Sequence, residues 1–160
     1  LSFPNLLILN LDGLKEYLKE KEIAEYVSVS QGFGGGLVGK GIVSFPLQDG
    51  KTLINKLLQS HDSNDPDFGI LERETIMEVG NVLINSVACS ISDMVEVEAK
   101  YEMPEITISD QVFSIEDASP ENVYCIGEGE FSVEGVDIKG MMLFILTYNK
   151  IEHIINKLTF

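Results

Sequence analysis

The chain has 160 residues, of which 44% are hydrophobic and 23% are charged, so a disordered or low-complexity protein is excluded and one domain with a single core is expected. Twenty-six acidic residues against eleven basic ones give a formal net charge of −15, and such a surface repels nucleic-acid phosphates and anionic lipid head groups. No apolar run approaches the ~18 residues that span a bilayer, and no basic n-region followed by an apolar h-region opens the chain. We therefore predict a cytoplasmic protein with no nucleic-acid and no membrane partner.

The cysteines and histidines do not suggest a metal site or a nucleophile. Cys89 and Cys125 stand among apolar or small residues without CxxC spacing, which is typical of buried structural thiols. His61 lies in a polar loop and His153 in a predicted terminal helix, and neither has a partner at metal-ligand spacing. The sequence thus predicts no zinc site, no histidine-based relay and no cofactor of the chain's own.

Hydrophobic periodicity predicts an α+β fold with two hairpins. In chain order, the first half contains a strand over 3–9, a helix over about 13–23 capped by Asp12, strands 26–33 and 37–47 joined through Gly34 to Gly36, and a helix from Asp49 to about Ser60. After a polar loop over 61–67, the second half contains a long helix over 70–96, an extended stretch over 105–115, strands 123–133 and 136–147, and a helix near 149–158. Strands that alternate apolar and polar residues favour one mainly antiparallel sheet with long helices on one face.

The two halves of the chain repeat each other weakly but in order. Residues 3–8 match 103–108, Tyr26 matches Tyr124, residues 40–45 match 139–144, and residues 54–57 match 155–158. The offsets lie between 98 and 101 throughout, which indicates an internal repeat. We therefore predict a single domain over 1–160, built from pseudo-twofold units of about 1–60 and 70–160.

The long helix of the second unit has no counterpart in the first unit. Its place would lie before Pro4, where this sequence has only three residues. We expect an upstream segment or a second subunit to cover that vacancy. Apolar surface near residues 3–9 and on the inner face of the 13–23 helix should then mark a homodimer contact or the seat of the upstream segment.

The long helix carries an unusual polar stripe. On a helical wheel its apolar residues form one broad face, predicted to be core: Ile76, Val79, Leu83, Val87, Ile91 and Met94. The polar residues Glu74, Glu78, Asn81, Asn85 and Ser92 fall on the other side, and no charge occurs from Val79 through Ser92. Because an ordinary solvated face carries Lys and Glu, this pattern indicates a surface that another molecule approaches closely around Gly80.

The segment Glu78-Val79-Gly80-Asn81 resembles the ExxN core of the CheC/CheX/FliY family of chemotaxis response-regulator phosphatases. The glycine-rich hairpin over 32–46 and the last hairpin over 131–140 are similar to those of the family, and nearly the whole chain aligns in order. Glu74 stands where the family usually has Asp or Ser, and Asn85 where it often has Gly. The chain has one ExxN motif, as in CheX-like members, whereas CheC-type members have two.

The resemblance implies hydrolysis of the aspartyl phosphate on a CheY-like response regulator, whose receiver domain brings its own Mg²⁺. Asn81 would orient the attacking water, and Glu78 would pair with a lysine of the receiver. Glu74 and Asn85 would then contact the docked substrate. The alternative is a catalytically silent CheC-like module that docks a receiver, a CheD-like deamidase or a sibling subunit.

Overall fold

The computed structural model describes residues 2–21, 24–59, 68–114, 117–133 and 135–147, so the predicted loop over 61–67 and the predicted helix near 149–158 lie outside the described residues. The elements are β1 (Ser2–Leu9), α1 (Leu11–Lys19), β2 (Tyr26–Gly35), β3 (Gly39–Pro46), α2 (Leu47–Leu58), α3 (Ile70–Met94), β4 (Ala99–Tyr101), β5 (Glu105–Ser109), β6 (Asn122–Val133) and β7 (Val136–Thr147). The predicted strand over 105–115 ends at Ser109, and the short strand β4 was not predicted.

The seven strands form one antiparallel sheet in the order β1-β6-β7-β3-β2-β4, and β5 pairs with another part of β2. Two long hairpins, β2–β3 and β6–β7, lie side by side through the β3–β7 pair. The predicted α+β fold with a mainly antiparallel sheet is thus confirmed.

The strand register shows the pseudo-twofold symmetry directly. Val43 pairs with Met142, its counterpart 99 residues further on. Beside this pair, Ser44 pairs with Met141 and Ile42 pairs with Leu143, and a shift of 99 residues converts each of these two pairs into the other. The short strands follow the same symmetry with offsets of 100 and 98, because Ile8↔Cys125 at one sheet edge corresponds to Ile108↔Val27 at the other. The local twofold axis therefore passes through the Val43–Met142 pair. The offset between the two repeated units of the sequence matches the spacing between symmetry-related residues in the sheet.

Helices α2 and α3 cover one face of the first unit's strands. Val27, Val29, Val43 and Phe45 pack there with Ile76, Ile84 and Ala88 of α3 into the larger core cluster. By length and composition α3 could cross a membrane, with a mean hydropathy of 1.2 over its most apolar 18 residues. Here it lies on the sheet: a methyl group at Gly41 of β3 would come within 2.6 Å of Ile84 Cγ2.

Helix α1 covers the other face of the sheet, over the second unit's strands. Leu14 is 0% exposed and packs with Ile42, Tyr124, Ile126 and Leu143. The expectation that the inner face of this helix would be left open is therefore wrong. The predicted N-cap Asp12 is also wrong: Asn10 is the cap, and its side chain accepts a hydrogen bond from Gly13 N at 2.9 Å.

Two further predictions are wrong: the residue that caps α2 and the burial of both cysteine thiols. α2 begins at Leu47, two residues before the predicted cap Asp49, whose carboxylate instead accepts a 2.6 Å hydrogen bond from the Lys139 backbone N–H. Cys89 is exposed on α3 and Cys125 is half-buried on β6, so the two are not both buried thiols. Cys89 was misjudged because its apolar sequence neighbours face the sheet while its own side chain faces outward.

Candidate functional site

The face of α3 that meets the sheet is centred on small residues. The fully buried stripe is Ile76, Gly80, Ile84, Ala88 and Ser92, one residue every helical turn. The predicted face is rotated from this: Val79, Leu83, Val87 and Ile91 are only partly buried, and Met94 is 52% exposed. Ser92, predicted on the polar stripe, is buried with its hydroxyl donating to the Ala88 carbonyl at 2.7 Å. Glycine and alanine let the helix axis approach the strands, so side-chain size outweighs hydrophobicity in setting its rotation.

Gly80 does not offer its backbone to another molecule. A methyl group there would come within 2.6 Å of Val29 Cγ1, so this glycine is required by the close packing of α3 on β2. The prediction of an open approach around Gly80 is therefore wrong, and the approach is made by the protein's own sheet.

The packing of Gly80 fixes where the ExxN side chains point. At about 100° per residue, Glu78 lies about 160° around the helix from Gly80 and Asn81 about 100°. Glu78 is accordingly exposed, Asn81 is half-buried at the shoulder of the helix, and Glu74 is exposed one turn before Glu78. The structure thus brings an exposed carboxylate and a partly sheltered amide together on one turn of α3.

Asn85 lies one turn after Asn81 and contacts it directly. Its Nδ2 donates to Asn81 Oδ1 at 2.9 Å, while its own Oδ1 is buried with no hydrogen-bond partner among the described residues. Asn85 is half-buried, so this amide turns one end toward Asn81 and the other into the protein. A purely polar surface stripe would leave both amides solvated.

The sequence did not predict several exposed side chains near these residues. Val82 is 56% exposed on the outer surface of α3, and Leu71 is exposed at its start. Tyr101 of β4 lies close to Cys89 and Asp93 of α3, where partial burial and these two groups raise the pKa of its hydroxyl. The exposed apolar residues of α3 could have been found only by knowing that the helix rotates onto its small residues.

A cavity lies on the opposite side of the sheet from this stripe. It has a volume of about 460 Å³, and its lining includes Ser30, Lys40, Thr107, Ser109 and Asp117 but none of the four predicted site residues. We place the candidate site on α3 rather than here, because the four predicted site residues lie on that helix and none of them lines this cavity. In the described part of the chain, no group of three or more His, Cys, Asp or Glu side chains is arranged to hold a metal.

The sequence matches no protein-family model, and no curated protein matches it either. Solved structures do resemble it. FliY of Thermotoga maritima is 16% identical, with a TM-score of 0.67 over 98% of this chain and 79% of that one. A complex of CheX, CheY, BeF₃ and Mg²⁺ from Borrelia burgdorferi matches at 19% identity and a TM-score of 0.55, over 83% of this chain and 90% of that one. FliM of Helicobacter pylori, solved with SpeE, is 16% identical, with a TM-score of 0.57 over 96% of this chain and 76% of that one. The chain therefore has the fold of the CheX, FliY and FliM chemotaxis proteins, which confirms at the level of the fold the resemblance found in its sequence.

Proposed function

We propose that this protein is a phosphatase that hydrolyses the aspartyl phosphate of a CheY-like response regulator in the cytoplasm. The observation that carries the proposal is the position of Glu78 and Asn81 on one turn of α3, where Glu78 is exposed and Asn81 is half-buried. The opposite side of that helix packs on the sheet. Similarity to a CheX solved in complex with CheY, BeF₃ and Mg²⁺ supports a phosphorylated receiver as the partner.

The chemistry requires little of this chain. An acyl phosphate is reactive, and the receiver's own Mg²⁺ neutralises the phosphoryl oxygens, so the remaining task is to hold a water in line with the bond to be broken. The water oxygen attacks phosphorus, the bond to the aspartate oxygen breaks, and inorganic phosphate leaves while the aspartate carboxylate is restored. Asn85 occupies one lone pair of Asn81 Oδ1, and the second can accept a hydrogen bond from that water, which orients the water without general-base catalysis.

Glu78 and Glu74 would serve the docking step. Glu78 is an exposed carboxylate on the outermost side of α3 and would form a charge-assisted hydrogen bond with a receiver lysine, fixing the register of the two proteins. Glu74 lies on the rim and would contribute less, because an exposed ion pair is screened by solvent. Exposed Val82 and Leu71 add apolar contact area beside these charges.

The second candidate is a silent module of the same fold that docks a receiver, a CheD-like deamidase or a sibling subunit without turnover. Similarity to FliM favours it, as does Glu74 in place of the usual Asp or Ser. We also propose a homodimer, because Ile8 is 69% exposed on the α3 side of the sheet at the edge strand β1.

The deciding experiment uses a panel of CheY-type receivers, loaded with Mg²⁺ and phosphorylated by a small-molecule donor. A phosphatase accelerates loss of the phosphoryl label from at least one receiver. A silent module binds a receiver that carries BeF₃ and Mg²⁺ but leaves the rate of label loss unchanged for every receiver in the panel.

A further inference from the structure

We propose that Asn85 is a positioning residue: it fixes the amide of Asn81 in the orientation that the water requires, instead of contacting the receiver itself. This inference rests on the proposed function and adds to it a residue that the ExxN motif does not contain. The observation behind it is the 2.9 Å hydrogen bond from Asn85 Nδ2 to Asn81 Oδ1 on consecutive turns of α3.

The hydrogen bond removes an ambiguity in Asn81. The two ends of an amide side chain have nearly the same shape but opposite hydrogen-bonding character, so a free Asn81 could present either end to a water. A donor at Asn85 holds the Oδ1 end on its own side and turns the Nδ2 end away. One lone pair of Oδ1 is then occupied by Asn85, and the other stays available at a fixed place.

The other end of Asn85 argues against a packing role. Its Oδ1 is buried with no partner among the described residues, which costs free energy that an apolar side chain at this position would not cost. Leucine has nearly the same branched shape as asparagine and would fill the same space. The asparagine is therefore explained by what its Nδ2 does, namely donate to Asn81.

The test compares wild type with Asn85→Leu, which keeps the branched shape and removes the donor. Ser86→Ala serves as the control, because Ser86 is the next residue along the helix and is exposed. For the variant N85L we expect kcat to fall by ~10-fold, with an unchanged affinity for the BeF₃- and Mg²⁺-loaded receiver and a melting temperature no lower than that of wild type. Ser86→Ala should leave all three values unchanged.

An unchanged kcat in the N85L variant would overturn the positioning role. If receiver binding is weakened while kcat is unchanged, Asn85 is a docking residue instead. A readout without substrate is the side-chain ¹⁵N–¹H₂ resonance pair of Asn81, which should shift and broaden in N85L but not in S86A. If wild type turns over no receiver, the phosphatase proposal fails, and this NMR comparison alone decides whether Asn85 orders Asn81. An unaltered Asn81 signal in N85L would refute the inference whatever the activity.

Discussion

Gly80 of α3 lies against Val29 of β2 so closely that a methyl group on Gly80 would come within 2.6 Å of Val29 Cγ1. This contact sets the rotation of the helix, and the rotation determines that Glu78 points outward while Asn81 lies at the shoulder. The geometry of the candidate site therefore depends on a residue that takes no part in its chemistry.

Replacing Gly80 tests this dependence. Gly80→Ala improves helix propensity by about 1 kcal/mol, but the added Cβ would overlap Val29 Cβ, which cannot rotate away. We expect a net loss of about 1 to 3 kcal/mol in the free energy of unfolding, measured by urea denaturation. Gly34→Ala in β2 is the matched control, because nothing lies within 4 Å of a methyl group there and its stability should hold. Equal stability of both variants would contradict the close packing.

The tyrosine at the start of β6 supports the connection that precedes it. The Tyr124 hydroxyl donates to the Ser119 carbonyl and accepts from the Ser119 N–H, both at 2.9 Å. Tyr124→Phe leaves the Ser119 N–H unpaired and removes one of the two hydrogen bonds to the Ser119 carbonyl, which still accepts from Asn122 N–H, so we expect a loss of about 1 to 2 kcal/mol on thermal unfolding. Tyr26, its counterpart in the first unit, makes no such hydrogen bond among the described residues, and Tyr26→Phe should cost much less. A larger loss for Tyr26→Phe would contradict this assignment.

The two thiols should differ in reactivity. Burial raises the pKa of the Cys125 thiol, so less of the reactive thiolate is present at a given pH than for an ordinary cysteine. Cys89 is exposed. At pH 8 we expect an aromatic disulfide reagent to react at least ~10-fold more slowly with the Cys89→Ser variant than with Cys125→Ser. The rate for Cys125 should still rise as pH passes 9. Equal rates at pH 8 would show that Cys125 is more accessible than the structure indicates.

Ile8 tests the proposed homodimer. Cross-strand pairing links it through Cys125 and Phe144 to Gly41, so it shares the α3 side of the sheet, where it is 69% exposed. We expect Ile8→Lys to change the free energy of unfolding by less than about 0.5 kcal/mol but to shift sedimentation at micromolar concentration toward the monomer. Ile70→Lys, at an isoleucine of α3 that is 80% exposed, should not alter sedimentation. A wild-type protein that is already monomeric would end the dimer proposal.

The sequence predicted the arrangement of this fold well because the repeat, though weak at each match, keeps its order and a nearly constant offset, and because the hairpins alternate clearly. Lys40 to Phe45 and their counterparts from Lys139 to Phe144 lie on β3 and β7, which pair about the local twofold. Alternating strands and a long apolar helix need only periodicity to be recognised. The short strand β4 was missed because three residues are too few to show a period.

Hydrophobic periodicity could not predict the rotation of α3 on the sheet or the sheet face that α1 covers. A wheel weighted by hydrophobicity favours Val79 and Val87 as core, whereas the sheet accepts Gly80 and Ala88 because small residues permit closer approach. Leu14 is buried on the sheet face opposite α3, a choice that depends on chain connectivity and not on local pattern. The hydrogen bond between Asn85 and Asn81 follows from their spacing of one turn, but its direction required the surroundings.

The most direct test of the account is the rate at which a phosphorylated, Mg²⁺-loaded receiver loses its phosphoryl group in the presence of wild type, Asn81→Ala and Glu78→Ala. We expect Asn81→Ala to lose on the order of 10²-fold in kcat with nearly unchanged receiver binding, because water positioning is lost. Glu78→Ala should instead weaken binding by about 2 kcal/mol or more, whereas Glu74→Ala should cost under about 1 kcal/mol. If Asn81→Ala retains the wild-type rate on a receiver that wild type dephosphorylates, the assignment of Asn81 is wrong.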